Sequence, residues 1–134
     1  MKTRIIQTRF WDDDVVCRVH KDTKLLWIFL LSNKELGMTN YVRLPDALLT
    51  YFTGLTANEV QKAKKELEEN KKVYFYQDWV FIPKLESQNN YKNSPRNEST
   101  YEKELSYVPT DIKAYFSSID TTIDTSINLY LIHI

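Results

Sequence analysis

The sequence predicts an α+β fold, mainly helical with a small antiparallel sheet, and three observations carry that expectation. A helix starting at Pro45 and a second starting at Thr56 are separated by Gly54, a spacing that makes a tight helix-turn-helix. Lys72–Tyr76 and Trp79–Ile82 alternate with period two about Gln77-Asp78, which is the pattern of a β-hairpin. Leu25–Leu31 is apolar almost all round, as a helix buried on most of its circumference must be. Helix, turn, helix and hairpin in that order predict a winged helix-turn-helix.

Composition limits what such a domain can do. A chain of 134 residues with nine Tyr and three Trp has enough apolar surface to fold, and its length suits one compact unit with a tail. Eighteen basic and eighteen acidic side chains cancel, so any nucleic-acid site must be a local patch rather than a global field. The single cysteine, Cys17, excludes an internal disulfide and a cysteine-pair zinc site and fits a reducing compartment. The longest apolar run, Leu25–Leu31, is far shorter than the roughly 20 residues that span a bilayer, and no cleavable signal pattern opens the chain. These features predict a soluble cytoplasmic protein that does not contact membranes.

From the N-terminus, Thr3–Phe10 alternates weakly and reads as a short strand or arm whose edge could pair with Tyr41–Leu44. Asp12 is the expected cap of a short helix, with Asp13 and Asp14 in its first turn opposing the positive helix end and Val15, Val16 and Val19 inward. A metal is the alternative use for three carboxylates, but three consecutive helical residues point in different directions. Asp22 is the expected cap of the central core helix. Ser32–Asn40 is a loop, and Tyr41–Leu44 supplies a short third strand.

Pro45 suits the first position of the next helix, where its missing N–H costs nothing, and Gly54 supplies the left-handed turn that ends it. Thr56 and Glu59 form a T-x-x-E capping box, and Leu55 and Val60 are placed to make the hydrophobic staple across it. Leu55, Val60, Ala63 and Leu67 form the apolar stripe, which puts Asn58, Gln61, Lys62 and Lys65 on the outward face. Glu66, Glu68 and Glu69 crowd the last turns, so phosphate contact is expected from the first half of the helix. In the hairpin, Val73 and Phe75 share one face, with Val80 and Ile82 as their register-matched set, and the glycine-free turn allows a slightly longer loop.

The candidate DNA-binding residues are therefore Thr56, Asn58, Gln61, Lys62 and Lys65 on the second helix, with Lys72 (or Lys71), Tyr76 and Gln77 on the wing. Asn and Gln can pair bidentately with adenine, at roughly 1 to 3 kcal/mol of discrimination per pair. The lysines suit phosphates. His20 and His133 lack a second ligand at metal spacing and read as structural or solvent-facing; Cys17 reads as a small core residue; Trp11, Trp27 and Trp79 read as packing. Only Gly37 and Gly54 are present, neither in a phosphate-loop pattern, so neither a cofactor nor catalysis is expected.

After Pro83 the composition turns polar and rich in Asn and Ser, which marks a boundary. The expected division is a winged helix-turn-helix over residues 1–85, a polar linker and short helix over 86–109, and a tail over 110–134. The helix starts at Ser94-Pro95, has a sparse apolar edge of Tyr101, Leu105 and Val108, and stops at Pro109. The tail reads either as a short helix near Ile112–Phe116 followed by a β-prone end or as the start of a second domain.

RIIQTRFWDDDVV, KDTKLLWIFLLSN, TGLTANEVQKAKKELEENKKVYFYQDWVFI and QNNYKNSPRNESTYEKELSYVP, in this order over about residues 1–109, resemble the N-terminal winged-helix region of phage replisome organisers, which are similar to DnaD-like replication-initiation proteins. The resemblance implies binding of double-stranded origin DNA and work with a host helicase or helicase loader. One recognition helix reads few base pairs, which favours a homodimer, although no heptad run marks its interface. Two other readings stand beside this one: a winged-helix scaffold acting as an adaptor on a host protein through the Tyr101–Leu105 helix or the apolar tail, and a transcriptional repressor.

Overall fold

The computed structural model describes residues 6, 8–83 and 95–119. Among these residues the chain is mixed α+β, mostly helical, with one small antiparallel sheet. A 3-10 turn at Thr8–Asp12 leads into α1 (Asp14–Arg18) and α2 (Lys21–Ser32); β1 (Tyr41–Arg43), α3 (Asp46–Thr53) and α4 (Ala57–Glu69) follow, then the hairpin β2 (Tyr74–Tyr76) and β3 (Trp79–Phe81). α5 (Pro95–Ser106) and α6 (110–119) complete the described chain. The linker at 84–94, the tail at 120–134 with His133, and most of the expected Thr3–Phe10 strand lie outside the described residues.

Local chemistry explains several of the starts and stops, sometimes one or two residues from where the sequence alone put them. Asp13, not Asp12, caps α1, its carboxylate accepting from the Val15 amide at 2.7 Å. Asp22 lies in the first turn of α2, and the cap is His20, whose Nδ1 accepts from the Asp22 amide at 3.2 Å. Pro45 is the residue before α3 rather than its first residue. α3 ends on Gly54, which is left-handed at φ 77° and donates its N–H to the Thr50 carbonyl. At the far end of α4 the amides of Lys71 and Lys72 close onto the carbonyls of Glu68 and Leu67, a Schellman arrangement that puts Lys71 at φ 58° where glycine is usual.

The sheet has the order β1-β3-β2, with Val42 opposite Val80 and Val80 opposite Phe75. β1 therefore pairs with the hairpin, and the described end of the expected N-terminal strand is the 3-10 turn. The hairpin loop has two residues, because Tyr76 faces Trp79; Gln77 takes φ 53° in place of the missing glycine.

Alternation along the strands separates two cores. Val42, Val73, Val80 and Ile82 join Leu26, Leu30, Leu49, Val60, Ala63 and Leu67 in the main core, under α2, α3 and α4. The opposite face of the sheet is aromatic: Tyr74 and Phe81 are buried against Val108, Ile112 and Phe116, with Tyr41, Tyr76 and Trp79 packed around them. The residues expected to give α5 a sparse edge and the tail a short helix thus include the cover of the sheet's outer face. Pro109 starts as much as it stops, since its carbonyl accepts the Lys113 amide at 3.0 Å in the first turn of α6.

Two other expectations need correction. Trp11 is 58% exposed, its ring nearly perpendicular to that of Phe10 with centroids 5.2 Å apart, whereas Trp27 is buried. Cys17 is exposed rather than a core residue, with its thiol directed at the Trp11 carbonyl. Val15 packs against the main core beside the buried Val16, and Val19 is buried too, so all three valines face inward as expected.

Candidate nucleic-acid interface

The geometry of α4 begins with its cap. The Thr56 hydroxyl accepts from the Glu59 amide at 3.2 Å, and the Glu59 carboxylate accepts from the Thr56 amide at 2.8 Å. Hydrogen bonds from the Thr56 backbone and then its side chain hold the Glu59 carboxyl below its ordinary range. Leu55 and Val60 are both buried in the main core, the placement a staple requires. Thr56 is thus occupied in building the helix start.

With Val60, Ala63 and Leu67 buried, Asn58, Gln61, Lys62 and Lys65 are exposed together on the opposite face. Gln61 is not free to offer its whole amide, because Nε2 donates to Asp46 Oδ2 on α3 at 2.6 Å. Lys64 bonds the other oxygen of the same carboxylate at 2.8 Å and lies over the Phe75 ring. Lys62 and Lys65 border a groove between the start of α2 and α4 whose walls also carry Asp22, Glu59, Glu66 and Glu69. Their positive charge is therefore set among carboxylates.

Two of the carboxylates at the end of α4 turn inward and do structural work. Glu66 Oε1 accepts from the Thr23 hydroxyl at 2.6 Å and the His20 amide at 3.1 Å, fastening α4 to the first turn of α2. Glu68 accepts from the Phe75 amide at 2.9 Å, tying α4 to β2.

The hairpin divides its candidates differently. Gln77 is exposed at the tip, next to Asp78, which pairs with the exposed guanidinium of Arg43 at 3.2 Å. Tyr76 stacks on Tyr115 of α6, with centroids 3.8 Å apart and planes 10° from parallel. Lys72 sits away from the tip, bonded to Asp13 at 3.1 Å and lying over the Trp27 ring. Burial opposes ionisation of Asp13, but the hydrogen bonds from Lys72 and the Val15 amide outweigh it and keep that carboxyl below its ordinary value.

The structure therefore brings Asn58, Lys62 and Lys65 together on one open surface, adds Gln61 with part of its amide engaged, leaves Gln77 at the wing tip, and commits Thr56, Lys72 and Tyr76 to internal contacts. Arg43 is an exposed cation beside the wing that the sequence pattern did not single out; its alternation opposite Val42 was the available signal. Among the described residues no group of His, Cys, Asp and Glu is arranged to hold a metal, and no helix is long and apolar enough to cross a membrane. Comparison with family models, curated proteins and solved structures finds no match for the chain.

Proposed function

We propose that this chain is a double-stranded DNA-binding protein of winged helix-turn-helix type, with α4 as the recognition helix and the β2–β3 hairpin as the wing. The observation that carries the reading is the exposed set Asn58, Gln61, Lys62 and Lys65 on a helix whose start is fixed by a complete capping box and whose back is sealed into the core. Such a helix meets a groove without reorganising, so little ordering entropy opposes binding. Asn58 is the best base-reading candidate, since the Asp46 contact occupies part of the Gln61 amide. Lys62 and Lys65 contact phosphates, and Gln77 with Arg43 reaches the backbone beside the wing. The resemblance to replisome organisers extends the proposal to replication initiation, with a host helicase or its loader as partner; the role is binding rather than catalysis.

A second reading, a protein-interaction adaptor on the same scaffold, is favoured by one feature: Asp22, Glu59, Glu66 and Glu69 lie around Lys62 and Lys65 and offset their field.

Binding to random duplex DNA across a salt series separates the two. The DNA reading requires affinity that falls steeply with salt, and a double change of Lys62 and Lys65 to Ala that lowers the log–log slope by about 2, one released counterion for each lost phosphate contact. Absence of binding at low salt overturns the DNA reading in favour of the adaptor.

A further inference from the structure

α3 turns one row of its side chains into the core and leaves the other bare. Leu49 is fully buried, while Leu48 is 38%, Phe52 48% and Tyr51 77% exposed. The bare row continues onto α2: Phe52 stacks on Phe29 with centroids 5.6 Å apart, Tyr51 meets Phe52 edge-on at 5.0 Å, and Leu25, one turn before Phe29, is 44% exposed. At ~200 Å² for each large side chain, these exposures expose about 400 Å² of apolar and aromatic surface, roughly half of what one partner of a standard interface buries. That is the size of an interface centre, to be completed by a polar rim.

We propose that this face, α3 with the adjoining side of α2, is the contact surface of a homodimer in which two α3 helices pack antiparallel across a two-fold axis. Three properties of the face fit a second copy of itself. The first is shape. α3 is slender at its start, where Ala47 and Leu48 are exposed, and bulky at its end, where Tyr51 and Phe52 project. Antiparallel pairing sets the bulky end of each copy against the slender end of the other, the self-complementarity that an isologous interface demands. It also sets the two helix dipoles head to tail.

The second property is charge. The chain has a formal net charge of +0, so two copies approach without the mutual repulsion that keeps strongly charged domains apart. The third is the chemistry of the face. Single-stranded nucleic acid also stacks on exposed aromatics, but it needs a basic track beside them. Here Leu25, Ala47 and Leu48 are exposed on the same helices as the rings, and Lys34, over Phe52 at 6.0 Å, is the cation that accompanies them among the described contacts. Leucine beside an aromatic suits a dry protein contact.

This assignment stands apart from DNA binding, and its test uses no DNA. Sedimentation of the full chain over about 1 to 100 µM brackets a dissociation constant in the micromolar range. The expected result is a reversible shift from one to two chain masses. Tyr51→Glu should raise the dissociation constant about thirtyfold or more, as loss of a central aromatic does. Leu48→Lys should do the same, and Tyr107→Glu, at a 69% exposed site on the segment between α5 and α6, should change nothing. Circular dichroism of each variant checks the fold, which an exposed substitution leaves intact. A monomer at every concentration overturns the proposal and leaves the face to a different protein. A dimer whose constant is unmoved by both Tyr51→Glu and Leu48→Lys overturns it as well.

Discussion

Replacing Phe116 by Ala tests whether α6 belongs to the folding unit. Phe116 has no exposed surface, and its ring meets Phe81 at 5.4 Å, Tyr115 at 5.4 Å, Tyr41 at 6.0 Å and Tyr76 at 6.5 Å. Removing a buried phenylalanine costs about 3 to 5 kcal/mol, transfer and cavity together. A domain of this kind has about 5 to 15 kcal/mol in total. The variant should therefore lose between about a fifth and all of its stability. Urea unfolding followed by tryptophan fluorescence reads both cores, since Trp27 is buried in the main one and Trp79 packs on the sheet's outer face. The expected outcome is an unfolding free energy lowered by that amount, seen as a lower midpoint with one transition and an unchanged slope. A loss below about 1 kcal/mol refutes the reasoning, because a cost that small belongs to a surface position and not to a core one.

Thr56→Ala should cost about 1 kcal/mol in the same assay by removing the cap of α4; an unchanged midpoint would place the helix start elsewhere. Asp13→Asn keeps an acceptor at the α1 cap but removes the charge facing Lys72. Because the folded Asp13 carboxyl lies below its ordinary value of 3.8, its contribution is complete above that value and is lost as the pH falls through the folded one. The wild-type chain should be the more stable near neutrality, and the two stability curves should converge as the pH falls below 3.8; parallel curves would exclude the Lys72 contact as the cause.

What could be read from sequence depended on how local the determining contacts are. The capping box at Thr56 and Glu59, the left-handed Gly54 and the buried stripe of α4 all follow from residues a few positions apart, and all three are present as expected. The caps of α1 and α2 were harder, because runs of neighbouring polar residues offer several competing acceptors. At α2 the choice of His20 is coupled to Glu66, 46 residues away, which takes the His20 amide. The outer core of the sheet did leave a mark: VYFY and WVFI are apolar at successive positions, as strands covered on both faces must be, and period-two alternation accounts for only one of those faces. Of the candidate site, Asn58, Lys62 and Lys65 were legible because a helical wheel places them. The commitments of Lys72 to Asp13 and of Tyr76 to Tyr115 were not, because each partner lies tens of residues away in the chain.

The carboxylate of Asp46 has a mechanical consequence. It stands at the start of α3, far from Gly54, and takes donors from both Gln61 and Lys64 on α4. Two stiff rods joined at a glycine form a hinge, but a strut between their far parts turns the hinge into a triangle. The angle between α3 and α4 is then braced at the strut as well as by the shared core of Leu49 with Val60 and Ala63, and not left to the corner alone. A push on α3 therefore reaches α4 through Asp46 as well as through the corner.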